Sequence, residues 1–418
     1  MSENVTGQQV DVAVLGAGIV GVSAGIAARQ RGLSVVVIDR REPGSETSYG
    51  NAGILSSGSI LPLNKPSLWS ALPGYLANTS VALRWDPLWV IRNLDWVARF
   101  LANAVPSRTR PRAEALHGLI GASLKLHREW IVKAGAPQRI RETGWLKAWR
   151  SDALEAAKQE QAFLAEFGIE SQVLDRQAIS ALEPNILPVY KTGLLHTQTA
   201  SVDSPGAVTK AYAEMLKGLG GEVRLSDIKA IEPAGDSWRV VLGSGAISAR
   251  HVVVALGPWS ADILRPLGYR VPLATERGYH QEFTPNPART LQRPIHDAEG
   301  SFLMTPMENG IRVTSGVELT DRDAPSSFAQ LDMVVPMARG VVEFGSAVAE
   351  PWRGARPTLP DSLPMIGPAP RHPGLWLAFG NQHIGFTTGP ATGSAIAAMI
   401  SGETPSFDAR AFAPGRYL

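Results

Sequence analysis

The 418-residue chain contains no cysteine. This absence excludes disulfides, cysteine-ligated zinc sites and a prosthetic group attached through a cysteine thioether. An excess of charge of one sign is also lacking, because 40 Lys and Arg side chains and 38 Asp and Glu side chains leave a formal net charge of +2. No run of Lys or Arg stands out, so we expect no nucleic-acid partner. We assign no metal ligands.

Long apolar runs are missing as well. No stretch reaches about 18 apolar residues without the glycines at 16–21, so we expect no membrane-spanning helix. Residues 12–28 resemble the apolar core of a signal peptide, but no Lys or Arg precedes Arg29, and a strand followed by a helix explains them better. The length exceeds what one core usually holds, so two domains are the default expectation.

Residues 10–39 carry the most specific pattern, an apolar run followed by a GxGxxG motif, an Ala-rich stretch and a second apolar run. Gly16 permits a tight turn, Gly18 lets a pyrophosphate approach the backbone, and Gly21 lets the helix pack closely on the sheet. The pyrophosphate would lie at a helix N-terminus, where free N–H groups favour negative charge. The pattern predicts dinucleotide binding, and the alternative is a plain βαβ unit.

An acid follows this motif at the distance that a dinucleotide requires. Asp39 ends the second apolar run, 23 residues after Gly16. A carboxylate at this place accepts hydrogen bonds from the ribose hydroxyls of an adenosine and would repel a 2′-phosphate. The sequence therefore favours an adenosine dinucleotide without that phosphate.

Tryptophan is concentrated between Trp69 and Val105. Residues 87–105 are predicted as one helix that Asp86 caps. Its polar side chains fall on one narrow stripe and leave a wide apolar arc. The arc either packs inside the second domain or contacts a membrane surface or another subunit.

Further helices and strands alternate along the chain. Helices are expected at 118–134, 152–167 and 205–216, and Asp203 is interpreted as the N-cap of the third rather than as a catalytic acid. Strands are expected at 220–225, 228–232, 238–242, 251–256, 301–305 and 311–315.

Several motifs in a fixed order give the chain a family resemblance. They are VLGAGIVG near the N-terminus, ETSYGNAG at 46–53, VVVALGPWS at 252–260, RPTLPDSLPMIGP at 356–368 and LWLAFGNQHIGFTTGPATG at 375–393. Together they resemble the FAD-dependent amino-acid oxidoreductases of the D-amino-acid oxidase superfamily. Bacterial D-amino-acid dehydrogenases are the most similar members, and glycine and sarcosine oxidases are further away.

The resemblance implies FAD, which we expect to be held non-covalently because no cysteine is present for a thioether. It also implies that residues 385–388 precede a helix at 390–400, capped by Thr387 or Thr388, whose positive end faces the flavin. The cofactor-binding residues implied in this way are Gly16, Gly18, Ile19, Val20, Gly21, Asp39, Arg40, Thr47, Ser48, Asn51, Ala52, Gly53, Ile228, Gly257, Trp259, Gly385, Phe386 and Thr387.

The fold class expected is α/β, with a discontinuous Rossmann-like FAD-binding domain and a second α+β substrate domain built on a mixed or antiparallel sheet. The expected divisions are 1–60, 195–262 and 353–418 for the FAD-binding domain, 61–194 for a helical insert that is mainly substrate domain, and 263–352 for the rest of the substrate domain.

An amino-acid substrate requires a cation for its carboxylate. Arg356 is the first candidate, because a planar guanidinium binds a carboxylate bidentately and the resemblance places a substrate arginine there. Arg277 and Tyr279 are the second candidates, and a buried structural salt bridge is the competing interpretation for either arginine. His383 and His280 are candidates for accepting the ammonium proton or binding a second carboxylate. Glu318 is a further candidate for the lining of the cavity.

The activity that the resemblance implies is oxidation of the amine of a D-amino acid, a D-proline-type imino acid or an N-substituted glycine, by hydride transfer to flavin N5. The imine would hydrolyse to a 2-oxo acid. A glycine, sarcosine or iminodiacetate oxidase that forms hydrogen peroxide is the alternative, and a non-catalytic FAD-binding module is the alternative of another class. The electron acceptor is left open between oxygen and a quinone of a respiratory chain. We expect a cytoplasmic protein and leave open a homo-oligomer and attachment to the inner face of a membrane.

Overall fold

The computed structural model describes residues 9–418. Its strands, in chain order, are β1 (Gln9–Leu15), β2 (Val35–Asp39), β3 (Ile54–Leu55), β4 (Leu83–Trp85), β5 (Ile140–Arg141), β6 (Trp145–Trp149), β7 (Ser171–Asp175), β8 (Thr192–His196), β9 (Ala200–Val202), β10 (Glu222–Leu225), β11 (Ile228–Ala234), β12 (Ser237–Leu242), β13 (Gly245–Val254), β14 (Ala274–Pro285), β15 (Ile295–Asp297), β16 (Phe302–Met307), β17 (Gly310–Thr314), β18 (Val317–Leu319), β19 (Phe344–Ala347), β20 (Trp352–Thr358), β21 (Met365–Pro368) and β22 (Leu375–Phe379). Its helices are α1 (Ile19–Arg29), α2 (Leu68–Leu76), α3 (Pro87–Arg92), α4 (Leu94–Ala102), α5 (Pro106–Lys133), α6 (Leu154–Ala165), α7 (Arg176–Leu182), α8 (Pro205–Gly218), α9 (Ser260–Leu264), α10 (Ala329–Arg339) and α11 (Gly385–Ile400).

The first large sheet has the strand order β10-β2-β1-β13-β12-β11, and β22 joins it beside β13. Strands β10, β2, β1, β13 and β22 run parallel. Val and Ile dominate β1, β2 and the end of β13, as is typical of parallel strands that are buried on both faces. One face is covered by a core to which α1, α5, α8 and α11 contribute. This is the dinucleotide-binding half that the sequence predicts.

The second large sheet is mixed and mainly antiparallel, with the order β4-β18-β14-β17-β16-β15-β6-β8-β7. Strand β14 is its longest member and also pairs with β19 and β20. The predicted α/β fold with a second, mixed sheet is therefore confirmed.

The domain divisions stay a prediction, but two elements lie differently from what they imply. Strand β20, predicted on the FAD side of the division at 353, pairs with β14 in the second sheet. Helix α5, predicted within the substrate part, packs on α11 and α8 of the first half. It is also longer than the predicted 118–134, because Pro106 is suited to the first turn of a helix.

The single helix predicted at 87–105 is wrong. Helices α3 and α4 meet at Asn93, whose backbone leaves the helical region at φ −117° and ψ 28°. The predicted cap is present, since the Asp86 carboxylate accepts a hydrogen bond from the Leu88 N–H. Trp89 and Trp96 point into the protein, where they are 4% and 6% exposed. Internal packing therefore accounts for Trp89 and Trp96, whereas Trp69 on α2 is 49% exposed.

Two predicted caps are also wrong. Ser204 is the N-cap of α8, and the Asp203 carboxylate instead forms an ion pair with Arg139 at 3.1 Å. Helix α11 begins at Gly385, so Thr387 and Thr388 lie inside its first turn. The Thr388 hydroxyl donates back to the Ile384 carbonyl, and the Thr387 hydroxyl donates to the Ile54 carbonyl. Thr387 thus ties the helix start to β3, Thr388 bonds back to the residue before the helix, and neither caps it.

Candidate functional site

A cavity of about 470 Å³ opens where the parallel strands end and reaches the face of the second sheet. Its first wall is formed by the residues directly after β1, β2 and β13. Ligands of open α/β sheets bind at this carboxyl edge. The position alone therefore makes this cavity the candidate site.

The glycine motif forms a cradle that side chains would fill. Gly16 has φ +108°, and a Cβ there would lie 2.5 Å from the Ala255 carbonyl oxygen. A Cβ on Gly21 would lie 1.9 Å from the Gly16 oxygen, so this glycine serves the contact between helix and turn. Gly18 is the N-cap of α1 and has no side-chain cap. The donors and the shape fit a pyrophosphate at this helix end.

The polar groups at the adenosine end are held by neighbouring residues. The Asp39 carboxylate accepts hydrogen bonds from the N–H groups of Ala17 at 2.7 Å and Arg41 at 3.1 Å. Its fixed orientation suits the predicted contact with ribose. The Arg40 guanidinium lies 4.6 Å from the centre of the Trp259 ring, and both side chains line the cavity.

The loop 46–53 lies between the two halves and is anchored on both sides. The Thr47 hydroxyl donates to the Ala355 carbonyl at 2.8 Å, and Arg312 donates to the carbonyls of Tyr49 and Asn51. The Asn51 amide oxygen accepts from the Gly53 N–H at 2.8 Å, so part of its hydrogen-bonding capacity is used within the loop. These contacts fix the backbone that would lie along the flavin.

The first turn of α11 is supported by a buried histidine. Pro390 has no N–H for the Phe386 carbonyl four residues earlier, and His127 on α5 places Nε2 2.8 Å from that oxygen. The Tyr212 hydroxyl lies 3.1 Å from the other ring nitrogen. Burial lowers the pKa of His127 to about 4, so the ring is neutral and Nε2–H is the donor.

Most of the predicted cofactor residues meet at this cavity. The structure places in its lining Gly16, Gly18, Ile19, Val20, Asp39, Arg40, Thr47, Ser48, Asn51, Ala52, Ile228, Gly257, Trp259, Gly385, Phe386 and Thr387. Gly21 and Gly53 are outside the lining. Gly53 has φ +73°, and a Cβ added there would lie 2.4 Å from the Val202 carbonyl oxygen, so this glycine permits the turn and the close contact with the neighbouring strand.

The far wall of the cavity is one face of the β14–β20 pair. In register, Glu276 faces Arg356, Gly278 faces Gly354 and His280 faces Trp352. Side chains alternate along a strand, so these six positions share one face. All of them except Glu276 line the cavity.

Arg277 lies on the other face of β14, outside the cavity lining. Its guanidinium is 0% exposed, forms an ion pair with Glu318 at 3.2 Å and donates to the carbonyls of Ala324 and Pro325. Tyr279 borders the cavity, but its hydroxyl donates to the Glu318 carboxylate at 2.6 Å. Arg277 therefore forms a buried structural salt bridge, which was the competing interpretation for this residue. Glu318 does not line the cavity, contrary to the prediction.

Arg356 has the opposite surroundings. Its guanidinium lies over Gly278, where a Cβ would come within 2.4 Å of Nη2. It lines the cavity, and its side chain forms no hydrogen bond with residues 9–418. Burial lowers the pKa of Arg356, and the carboxyl of Glu276 partly offsets this effect. An arginine stays protonated even so, and this one offers its donors to the cavity.

Both candidate histidines also line the cavity. His383 is exposed to that space, while the surrounding protein and then the Arg356 charge lower its pKa to about 4. His280 stacks on Trp352 at 5.0 Å, and burial lowers its pKa well below the ordinary value. The neutral imidazoles of His383 and His280 therefore lie in the same cavity as the Arg356 guanidinium.

Some lining residues were not predicted from the sequence. They are Trp145, Gly278, Leu303, Thr314, Trp352 and Gly354. Alternation along 352–358 was the available signal for the last two, because it places them on the same face as Arg356. Trp145 and Leu303 come from distant strands and gave no local signal.

The glycine cradle, the fixed acid and the cavity at the strand ends define a protein that binds a dinucleotide. The chain belongs to the family described as FAD dependent oxidoreductase, whose model matches residues 11–399. FAD is therefore its cofactor, and the predicted family is confirmed.

Similar proteins span almost the whole chain. A D-amino-acid oxidase of Bradyrhizobium diazoefficiens is 30% identical, over 97% of this chain and 99% of that protein. The structure of glycine oxidase from Geobacillus kaustophilus matches with a TM-score of 0.77 and 19% identity, over 98% of this chain and 100% of that one. L-Proline dehydrogenase from P. horikoshii matches with a TM-score of 0.75 and 17% identity, over 99% and 98%.

Proposed function

We propose that this FAD-dependent oxidoreductase oxidises the amine of a small amino or imino acid that carries one carboxylate and a neutral side chain. A D-amino acid or a cyclic imino acid is the first choice, and glycine or sarcosine is the second. The similarity to a D-amino-acid oxidase over 97% of the chain supports the amino-acid class. The observation that carries the proposal is the single cation of the far wall.

The charges of the cavity are divided between its two ends. Asp39, Arg40, Asp227 and Lys229 lie at the adenosine end, beside the strand ends of the first sheet. The acids Glu42, Glu46 and Asp262 also line the cavity, and Glu46 forms an ion pair with Arg40 at 3.5 Å. Of the charged lining residues within 9–418, Arg356 alone lies on the β14–β20 wall. A substrate with a second carboxylate, such as iminodiacetate, would find no further cation there.

The chain's own residues supply binding and orientation. The guanidinium of Arg356 holds the substrate carboxylate through charge-assisted hydrogen bonds. Trp145, Leu303 and Trp352 offer apolar surface to a neutral side chain. The neutral ring of His383 or His280 is available to accept a proton from the substrate ammonium group. Bound FAD supplies the two-electron oxidant, and we propose that it is held without a covalent bond.

Anaerobic bleaching of the flavin tests the substrate class. When neutral amino and imino acids of both configurations are compared, the D-amino acids or the cyclic imino acids should bleach the colour, and dicarboxylic ones should bleach it at least tenfold more slowly. Trichloroacetic acid should release the yellow colour into the supernatant, as a non-covalent cofactor requires. A flavin that no amino or imino acid reduces would point to a non-catalytic FAD-binding module.

Arginine substitutions on one strand test the clamp. Arg356→Ala should lower kcat/KM by roughly 30-fold to several thousand-fold, since a desolvated charge pair contributes about 2–5 kcal/mol. Arg353→Ala is the matched control, because that side chain lies on the opposite face and donates to the Ala324 carbonyl. Equal kinetic losses in both variants would contradict the assignment.

The electron acceptor is a separate proposal, oxygen or a membrane quinone. No helix within residues 9–418 is long and apolar enough to cross a membrane. Leu88, Ile91 and Leu94 on α3 and α4 are 67%, 64% and 58% exposed, and this apolar row supports contact with a membrane surface or a second copy of the chain. Turnover with a soluble quinone that greatly exceeds peroxide formation in air would favour the quinone, and stoichiometric peroxide would favour an oxidase.

A further inference from the structure

A buried acid faces the proposed clamp from behind. Glu276 is directly opposite Arg356 in the β14–β20 register, on the same face of the sheet. It is 4% exposed, lies outside the cavity lining, and its Oε2 atom has no hydrogen-bond partner among residues 9–418. Buried carboxylates are normally paired, so an unsatisfied one beside a cation that lacks hydrogen bonds requires an explanation.

The other neighbours of Glu276 offer no competing charge. Its partner on β18 is Leu319, and the adjacent cluster contains Trp89, Trp96 and Ala274. The ion pair of Arg277 and Glu318 belongs to the opposite face of β14. Among the described residues, Arg356 is the charged group whose attraction acts on Glu276.

We propose that Glu276 is the internal counter-ion of Arg356 and takes up one proton from solvent when the substrate carboxylate binds. The proposal rests on the assignment of Arg356 as the clamp. In the free enzyme the ionised Glu276 offsets the guanidinium charge. In the complex the substrate carboxylate takes that role, and a second anion behind the same cation becomes unfavourable.

The direction of the proton transfer follows from the charges. Burial raises the pKa of Glu276 to about 7, although Arg356 and Thr358 act to lower it. A bound carboxylate neutralises Arg356 and adds a like charge, so the pKa of Glu276 rises further. Between about pH 7 and this higher value, the free enzyme holds Glu276 ionised and the complex holds it protonated. Binding then consumes a proton, and Glu276 is a positioning residue rather than a catalytic one.

Calorimetry of the FAD-loaded enzyme with benzoate, a simple monocarboxylate, measures this proton. Titrations at pH 8 in two buffers of different ionisation enthalpy should give an uptake approaching one proton per benzoate, falling towards zero below pH 6. The benzoate affinity should weaken by up to tenfold per pH unit between pH 7 and 9. His383 and His280 have depressed pKa values, so they are neutral at the start of this window.

The substitution Glu276→Gln removes the titrating group and keeps the shape. It should abolish the uptake and make benzoate affinity independent of pH between 7 and 9, at unchanged FAD content. Glu318→Gln is the matched control, because it changes an acid on the other face of the sheet, and it should keep the uptake. If Glu276→Gln does not fold, the calorimetry of the unmodified enzyme still tests the proposal, because an absence of proton uptake on benzoate binding between pH 7 and 9 overturns it.

Two failures are distinguishable. If benzoate binds, Arg356→Ala abolishes its binding and Glu276→Gln retains the proton uptake, then Arg356 is the clamp and Glu276 is not its counter-ion. If benzoate binding is unaffected by Arg356→Ala, or if no carboxylate binds and no amino acid bleaches the flavin, then both proposals fall.

Discussion

Substitution of Gly278 by alanine should disable the proposed clamp without unfolding the sheet. A Cβ at this position would lie 2.4 Å from Nη2 and 2.6 Å from Cζ of Arg356, whereas ordinary contacts begin near 3.4 Å. The guanidinium must therefore move by roughly 1 Å. It is the end of a flexible side chain, so the displacement costs little folding free energy. A misplacement of about 1 Å in a binding group can cost about 100-fold in rate.

The assay compares kcat/KM, benzoate affinity and the urea midpoint of Gly278→Ala with those of the unmodified enzyme. We expect kcat/KM to fall by about 10- to 100-fold, benzoate to bind more weakly, and the midpoint to change little. Gly218→Ala on α8 is the control, because no heavy atom of the described part of the chain lies within 4 Å of its added Cβ. Normal kinetics and normal benzoate binding in Gly278→Ala would refute the position of the guanidinium and its role.

The remaining predictions concern stability and surface contacts. His127 and His196 have pKa values lowered to about 4 by burial, so the unfolded chain binds protons first as the pH falls. The free energy of unfolding should drop as the pH falls from about 6.5 to 4, and urea titrations at several pH values check this. Glu276 has a raised pKa, so its own contribution makes the free energy of unfolding rise as the pH falls from about 7 to 4.5. His127→Phe should destabilise the protein by about 1–3 kcal/mol, since it leaves the Phe386 carbonyl without a donor, and should weaken FAD binding in an equilibrium dialysis measurement. The pair Leu88→Ser and Ile91→Ser should reduce sedimentation with quinone-containing vesicles, whereas an unchanged sedimentation would remove the membrane contact.

The dinucleotide-binding half was predictable because its signals are local. The turn at Gly16, the contact at Gly21 and the acid at Asp39 are each required by backbone geometry within one βαβ unit. The helix boundaries that failed have a different cause. The two helices that replace the single helix at 87–105 pack Trp89 and Trp96 beside Ala274, and this packing partner is about 180 residues away in sequence.

The choice between the two candidate arginines shows what the sequence lacked. Both lie in strands, and both are suited to a carboxylate. The pairing of β14 with β20 decides between them, because it puts Arg356 on the cavity face and leaves Arg277 on the opposite one. A shift of this register by one residue would exchange the faces of all the side chains of a strand. The same register brings Glu276 behind Arg356, so the location of the proposed clamp and the identity of its proposed counter-ion both follow from one strand pairing that connects residues about 80 positions apart.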